Sequence, residues 1–227
     1  MNKCMTCPNR EKNGFCHLSD AGSEFLLANS VVVEYPRGTV MFREGDAAET
    51  IYILCSGRLK MSATSQEGRT MIIRVAGSGS VLGMSAALSA APHEATAEAL
   101  EPCRVRVMPA RALHTLLRNY PESAVGAACT LATEYRTAFE EARRIALPET
   151  PAGRVACLLL DWMAANEKKS STITLALTHD EVASMTATTR ETVTRTLSRF
   201  KKEGVIQAKG VLITILQPNV LQQLSAC

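Results

Sequence analysis

At 227 residues the chain is long enough for two domains and a sizeable core. A net charge of only +3 excludes a general polycation, so any basic patch that meets an acidic partner is local. No N-terminal signal segment is expected, and the most apolar helical stretch (155–165) is cut by Asp161 and too short for a bilayer. A cytoplasmic protein without membrane contact is expected, and its eight cysteines are not expected to form a disulfide framework.

Residues 1–20 hold Cys4-x2-Cys7 and then Cys16-His17, across the polar, loop-like stretch PNREKNGF. Paired thiols two residues apart suit one metal or cluster edge, because the turn between them aims both sulfurs the same way. Zinc and iron–sulfur clusters share such soft thiolate ligation. Three cysteines leave one ligand unaccounted for. A thiol cluster without metal is the simpler reading.

Within a roll domain bounded at 21–120, residues 30–110 read as strands with regular turns. The candidates are Val31–Tyr35, Thr39–Phe42, Ile51–Leu54, Arg58–Met61, Met71–Val75 and Arg104–Val107, separated by Gly45-Asp46, Ser56-Gly57, Glu67-Gly68 and Gly77-Ser78-Gly79. Many short strands of this kind predict a small antiparallel barrel or roll.

Residues 121–147 read as one long helix opened by Pro121. Ala124, Ala128, Leu131, Tyr135, Phe139, Ala142 and Ile145 recur close to the coiled-coil period, which predicts a dimer seam. The alternative is packing against the chain's own roll. Residues 148–227 open on Thr150-Pro151, an N-cap and first-turn pair, and a helix whose apolar positions are Val155, Leu158, Leu159, Trp162 and Met163.

Thr178 and Glu181 then form a capping-box pair for a short helix with Val182 and Met185 on its apolar face. The run 186–189 is small and polar and offers a second N-cap before Arg190. The helix that follows stops at Gly204. Val193, Leu197 and Phe200 point it into a core, while Glu191, Thr194 and Arg195 share the opposite face with Arg190. Arginine pairs with guanine, and a carboxylate accepts from cytosine N4. Helix-turn-helix proteins set these N-terminal positions of the second helix on base edges. Arg199, Lys201 and Lys202 are placed for phosphates, and Thr189, just before the helix, is counted with the DNA-binding residues. Glu191 and Arg195 are equally placed for a solvated salt bridge. A hairpin around Lys209-Gly210 reads as a wing, with Lys209 at its tip.

Roll, long helix and winged helix-turn-helix in this order resemble the cyclic-AMP receptor protein / fumarate–nitrate reductase regulator (CRP/FNR) family. The carriers are YPRGTVMFREGDAAETIYILCSGRLKM in the roll and THDEVASMTATTRETVTRTLSRFKKEGVI in the reader. The resemblance implies an α+β protein: a β-roll of the jelly-roll type, a dimerisation helix (Ala128, Leu131, Tyr135, Phe139, Ala142) and a winged helix-turn-helix. It implies a homodimer on palindromic double-stranded DNA, with RNA polymerase as a partner. Arg190, Glu191 and Arg195 match the cyclic-AMP-type reader and imply TGTGA-like half-sites rather than TTGAT-like ones.

The effector pattern departs from the family. In place of F-G-E and R-[ST]-A stand Leu82-Gly83-Met84-Ser85 and His93-Glu94-Ala95-Thr96, and a carboxylate there repels a phosphate. Cyclic AMP is therefore not expected. The cysteine arm is similar to that of the oxygen-sensing branch, which implies a four-iron–four-sulfur cluster on Cys4, Cys7, Cys16 and a roll cysteine, nominally Cys103. Cys103 shares strand parity with Val105, so a buried core thiol is the competing reading, and Cys55 is the next candidate. The expectation is a redox, oxygen or nitric-oxide sensing regulator. The alternative is a zinc-bound or thiol-switch arm with a non-nucleotide effector in the roll. No enzyme is expected: a thiol oxidoreductase on Cys4-x2-Cys7 would need a βαβ setting.

Overall fold

The computed structural model describes Cys7 and residues 14–164, 171–174 and 177–225. Two compact units emerge: Met1–Arg69 with Ile73–Thr137, and Ala138–Cys227 with Thr70–Ile72. Their boundary falls inside the long helix rather than after it.

In the first unit a single 3-10 turn, Gly14–Cys16, precedes α1 (Asp20–Ala28), which is capped by the Ser19 hydroxyl. The strands are β1 (Val31–Tyr35), β2 (Val40–Phe42), β3 (Thr50–Ser56), β4 (Leu59–Thr64), β5 (Thr70–Ala76), β6 (Val81–Leu82), β7 (Thr96–Ala99) and β8 (Cys103–Pro109). They form two four-stranded sheets, ordered β1-β8-β3-β6 and β2-β7-β4-β5, antiparallel in each recorded pairing. The six strands read from sequence are all present. β6, β7 and the short helices α2 (Met84–Ser89) and α3 (Ala110–Asn119) are additions.

Strand parity divides the roll's core in two. Successive residues of a strand face opposite sides. Ile51 and Ile53 of β3 therefore join Phe15, Leu18, Leu26, Met84, Leu113 and Leu116 in one cluster, while Leu54 joins Phe42, Leu59, Ala97 and Val105 in the other. Long helix α4 (Pro121–Ala146) adds Ala127 to the first cluster.

The second unit contains α5 (Pro151–Ala164), β9 (Thr172–Thr174), α6 (His179–Met185), α7 (Arg190–Lys202), β10 (Ile206–Lys209), β11 (Leu212–Ile215) and α8 (Pro218–Ser225). β10, β11 and β9 form a three-stranded antiparallel sheet. Val155, Leu158 and Leu159 of α5 are buried as expected, while Trp162 and Met163 are only partly so. Among the described residues no helix is long and apolar enough to cross a membrane.

Candidate DNA-reading surface

Two short helices with good local caps build the surface. At α6 the Thr178 hydroxyl accepts from the Glu181 N–H at 3.2 Å, and the Glu181 carboxylate accepts from the Thr178 N–H at 2.8 Å. Val182, Ala183 and Met185 are then buried. The turn that follows carries Ala187 at φ 46°, a conformation a non-glycine residue adopts only at a cost. Arg154 of α5 holds that turn: its guanidinium donates to the carbonyls of Thr186 at 2.8 Å and Ala187 at 3.2 Å. Thr189 caps α7 by accepting from the Thr192 N–H at 3.3 Å. Gly204, at φ 68°, ends it in the left-handed conformation that glycine tolerates.

α7 has one dry face and one wet face. Val193, Thr196 and Phe200 are buried, with Leu197 at the margin. Arg190, Glu191, Thr194, Arg195 and Arg199 are exposed, as are Lys201 and Lys202. The alternative of a Glu191–Arg195 salt bridge is not what forms. Glu191 bonds its own backbone N–H and the Thr189 hydroxyl, which hold its carboxyl below the usual range. Arg195 makes no ion pair among the described residues, while Arg190 lies 3.7 Å from the Asp180 carboxylate. Sequence reasoning passed over His179 and Asp180. Their signal was the capping box, which sets both in the first turn of α6.

The wing is present. Lys209 is exposed at the end of β10, paired with Leu212 across the Gly210 turn. Along α4, Ala128, Tyr135, Phe139 and Ala142 lie on an exposed stripe with Val125 and Ala132. Tyr135 is 73 % and Phe139 59 % exposed. Leu131 differs from these: it is half-buried against the roll's first core cluster, as the alternative of packing on the roll expects at this position. At about 100° per residue it lies about 40° around the helix from Tyr135, on the edge of the stripe.

Residues 32–120 match the family model for a cyclic nucleotide-binding domain, and residues 153–224 match that for a Crp-like helix-turn-helix domain. The chain belongs to the CRP/FNR family. A CRP-like cAMP-activated global transcriptional regulator of Mycobacterium tuberculosis is 27 % identical over 186 residues, covering 81 % of this chain and 83 % of the relative. The cyclic AMP receptor protein of Thermus thermophilus is 26 % identical, covering 84 % and 86 %. The structure of FixK2 from Bradyrhizobium japonicum superposes with a TM-score of 0.77 at 23 % identity, covering 87 % of this chain and 98 % of that one. This chain is thus a CRP-like DNA-binding transcription regulator, from a family of regulators rather than enzymes.

Within the CRP/FNR roll, the positions read as an effector site are occupied by the chain's own side chains. Met84 is fully buried in the first core cluster. Ser85 donates to the Glu94 carboxylate at 2.9 Å, and Thr96 accepts from the Glu44 N–H at 3.0 Å. Arg74 is paired with Glu134 of α4 at 3.0 Å. The Glu94 carboxylate brings negative charge to these positions, which disfavours a phosphodiester beside it. His93 is 4 % exposed and stacked on Phe42 at 3.9 Å. Among the described residues its Nδ1 has no hydrogen-bond partner.

Burial pulls the His93 pKa down, against the opposing pull of Glu94 and Asp46. The unfolded imidazole takes its proton near its ordinary pKa of about 6.5, while the folded one resists. Stability of the roll is therefore expected to fall as pH drops through about 6.5, the loss levelling off below the folded pKa. Urea midpoints across that range check this, and His93→Asn should flatten the slope.

Of the cysteines that the resemblance implied as ligands, Cys16 and Cys103 pack against different core clusters of the roll. Cys4 lies outside the described residues, and Cys16 is half-buried against the first core cluster. Cys103 is in the other cluster, 2 % exposed, with its thiol donating to the carbonyls of Glu101 at 3.1 Å and Arg58 at 3.3 Å. Burial pushes its pKa up. Gly57 packs so closely that an added Cβ would lie 2.6 Å from the Cys103 sulfur. Parity with Val105 decides the matter: Cys103 is a core thiol. Cys55 is half-buried, and Cys157 is disulfide-bonded. Among the described residues no three His, Cys, Asp or Glu side chains come together to hold a metal.

Proposed function

We propose that the chain reads palindromic, TGTGA-like operators as a homodimer, with α7 in the major groove. The observation that carries this is the split of α7 into a buried Val193–Thr196–Phe200 face and an exposed face of Arg190, Glu191, Thr194 and Arg195. Thr189, Arg199 and Lys209 lie around that face and would meet phosphates. The exposed stripe of α4 supports the dimer. A two-fold axis would set the two reading helices about 34 Å apart, one turn of DNA. RNA polymerase is the partner that the family implies.

A sensing role for the N-terminal arm rests on the spacing of Cys4, Cys7 and Cys16, with Cys103 withdrawn from the ligand set. An iron–sulfur cluster would supply redox sensitivity, and zinc would supply a structural staple. The chain purified without oxygen is assayed for visible absorbance, iron, acid-labile sulfide and zinc. Iron with sulfide is the expected result and supports the cluster. Stoichiometric zinc in a colourless protein sinks it in favour of the zinc arm. Loading unchanged in Cys103→Ser is expected from the core position of that thiol.

A further inference from the structure

We propose that the roll carries a small-molecule site at the ends of β1, β3 and β8, built for a zwitterion: a free α-amino acid with an apolar side chain. The site lies wholly within the first unit, away from the positions read as an effector site, and does not depend on the reading of α7. A cavity of about 540 Å³ opens there. Small-molecule sites commonly enclose about 300–1,000 Å³.

The sheet lines up three polar side chains at this cavity. Glu34 of β1 lies directly opposite Arg104 of β8, and Ser56 of β3 lies opposite Arg104 on its other side. Residues in direct cross-strand register share one face of a sheet. Ser56 reaches that register because the β3–β8 pairing shifts between Leu54 and Ser56. A shift of this kind re-aims a side chain. Hydroxyl, guanidinium and carboxylate therefore stand in one row. Tyr35, Pro36 and Pro102 add an apolar lining.

The row is left open. Opposite charges in direct register ordinarily pair. Elsewhere in the roll they do. Lys60 and Glu98, in register between β4 and β7, are 3.0 Å apart, and Arg58 meets Glu101 at 2.7 Å. Among the described residues Glu34 and Arg104 form no ion pair, with each other or with another side chain. One unused carboxylate and one unused guanidinium thus line the same cavity.

Those two charges select the class of ligand. A simple anion drawn to Arg104 is repelled by Glu34, and a simple cation drawn to Glu34 is repelled by Arg104. A zwitterion satisfies both, with its carboxylate on the guanidinium fork and its ammonium on Glu34. The tyrosine ring and the two prolines suit an apolar side chain, and the Ser56 hydroxyl can donate or accept. Cys103 also lines the cavity, but its thiol is directed to the carbonyls of Arg58 and Glu101. The site binds its ligand and does no covalent chemistry.

The test is isothermal titration calorimetry on the full chain. The probes are leucine, phenylalanine, N-acetyl-leucine, which lacks the ammonium, and leucine amide, which lacks the carboxylate. Wild type, Glu34→Gln and Arg104→Gln are compared. Both side chains lie outside the two core clusters, so urea midpoints near the wild-type value are expected. Leucine or phenylalanine should bind wild type, and each derivative should bind about tenfold more weakly or worse, the loss of one charge-assisted hydrogen bond. Arg104→Gln should weaken leucine by a similar factor and leave leucine amide no weaker. Glu34→Gln should weaken leucine and leave N-acetyl-leucine no weaker. Absence of binding by both free amino acids up to about 10 mM overturns the proposal. Derivatives that bind wild type as tightly as leucine overturn it too, whether or not the variants fold. Leucine binding that is equal in all three proteins places the ligand elsewhere and also overturns it. No DNA enters these measurements, so their failure leaves the reading of α7 standing.

Discussion

Tyr135→Glu with Phe139→Glu is expected to give a folded monomer that no longer holds an operator at nanomolar concentrations. The two rings are 73 % and 59 % exposed, so neither charge enters the core of the single chain. In a two-fold interface each ring is used twice. Burial of one such side chain contributes about 1.5–3 kcal/mol, so four copies supply about 6–12 kcal/mol of gross driving force. The neighbours Ala128, Ala132 and Ala142 are small, and the rings are the main apolar area of the stripe. Placing four carboxylates there adds like-charge repulsion in a desolvating seam. Sedimentation would report the mass, and anisotropy the operator affinity. An unchanged dimer would move the interface elsewhere. A monomer that binds as well as wild type would detach dimerisation from DNA reading.

The second large effect is expected at Arg190. Arg190→Ala should cost about 1–3 kcal/mol of discrimination at one base pair of each half-site, and relax the preference there rather than weaken all sequences equally. In the free chain this guanidinium is 3.7 Å from Asp180, with both side chains well exposed, a contact that contributes little to stability. Its removal should therefore leave the unfolding midpoint near the wild-type value. The check is competition between TGTGA and TTGAT palindromes at one salt concentration, since affinities at different salt are not comparable. Equal affinity for both in wild type would defeat Arg190 as a base-reading residue.

Legibility along the chain followed the range of the physics involved. The reading helix was legible because its determinants are local. Thr178 with Glu181, Thr189 before Arg190, and Gly204 at the end are bonds within four residues, and all three appear as capping residues in the structure. The Val193 and Phe200 spacing named the buried face for the same reason. The short helices α1 and α2 and the brief strands β6 and β7 were not legible, because none has enough turns or alternations to show a period, whereas α3 does carry one in Ala112, Leu113 and Leu116 and was passed over. Cys103 lay between two readings. Parity pointed it into the roll, family position pointed it to a metal, and the partition of the core decided for parity.

The sequence by itself determined which segments are helix, strand and turn in the reader, where the charges of α7 lie, and the order of roll, long helix and winged helix-turn-helix. Those follow from capping, side-chain period and chain order, which act over a few residues. Only the tertiary structure decided which side of α4 Leu131 serves, which core cluster takes Cys103, that Glu94 is held by Ser85, and that His179 reaches Thr194. Each of those pairs residues brought together by packing, and no local rule measures that distance.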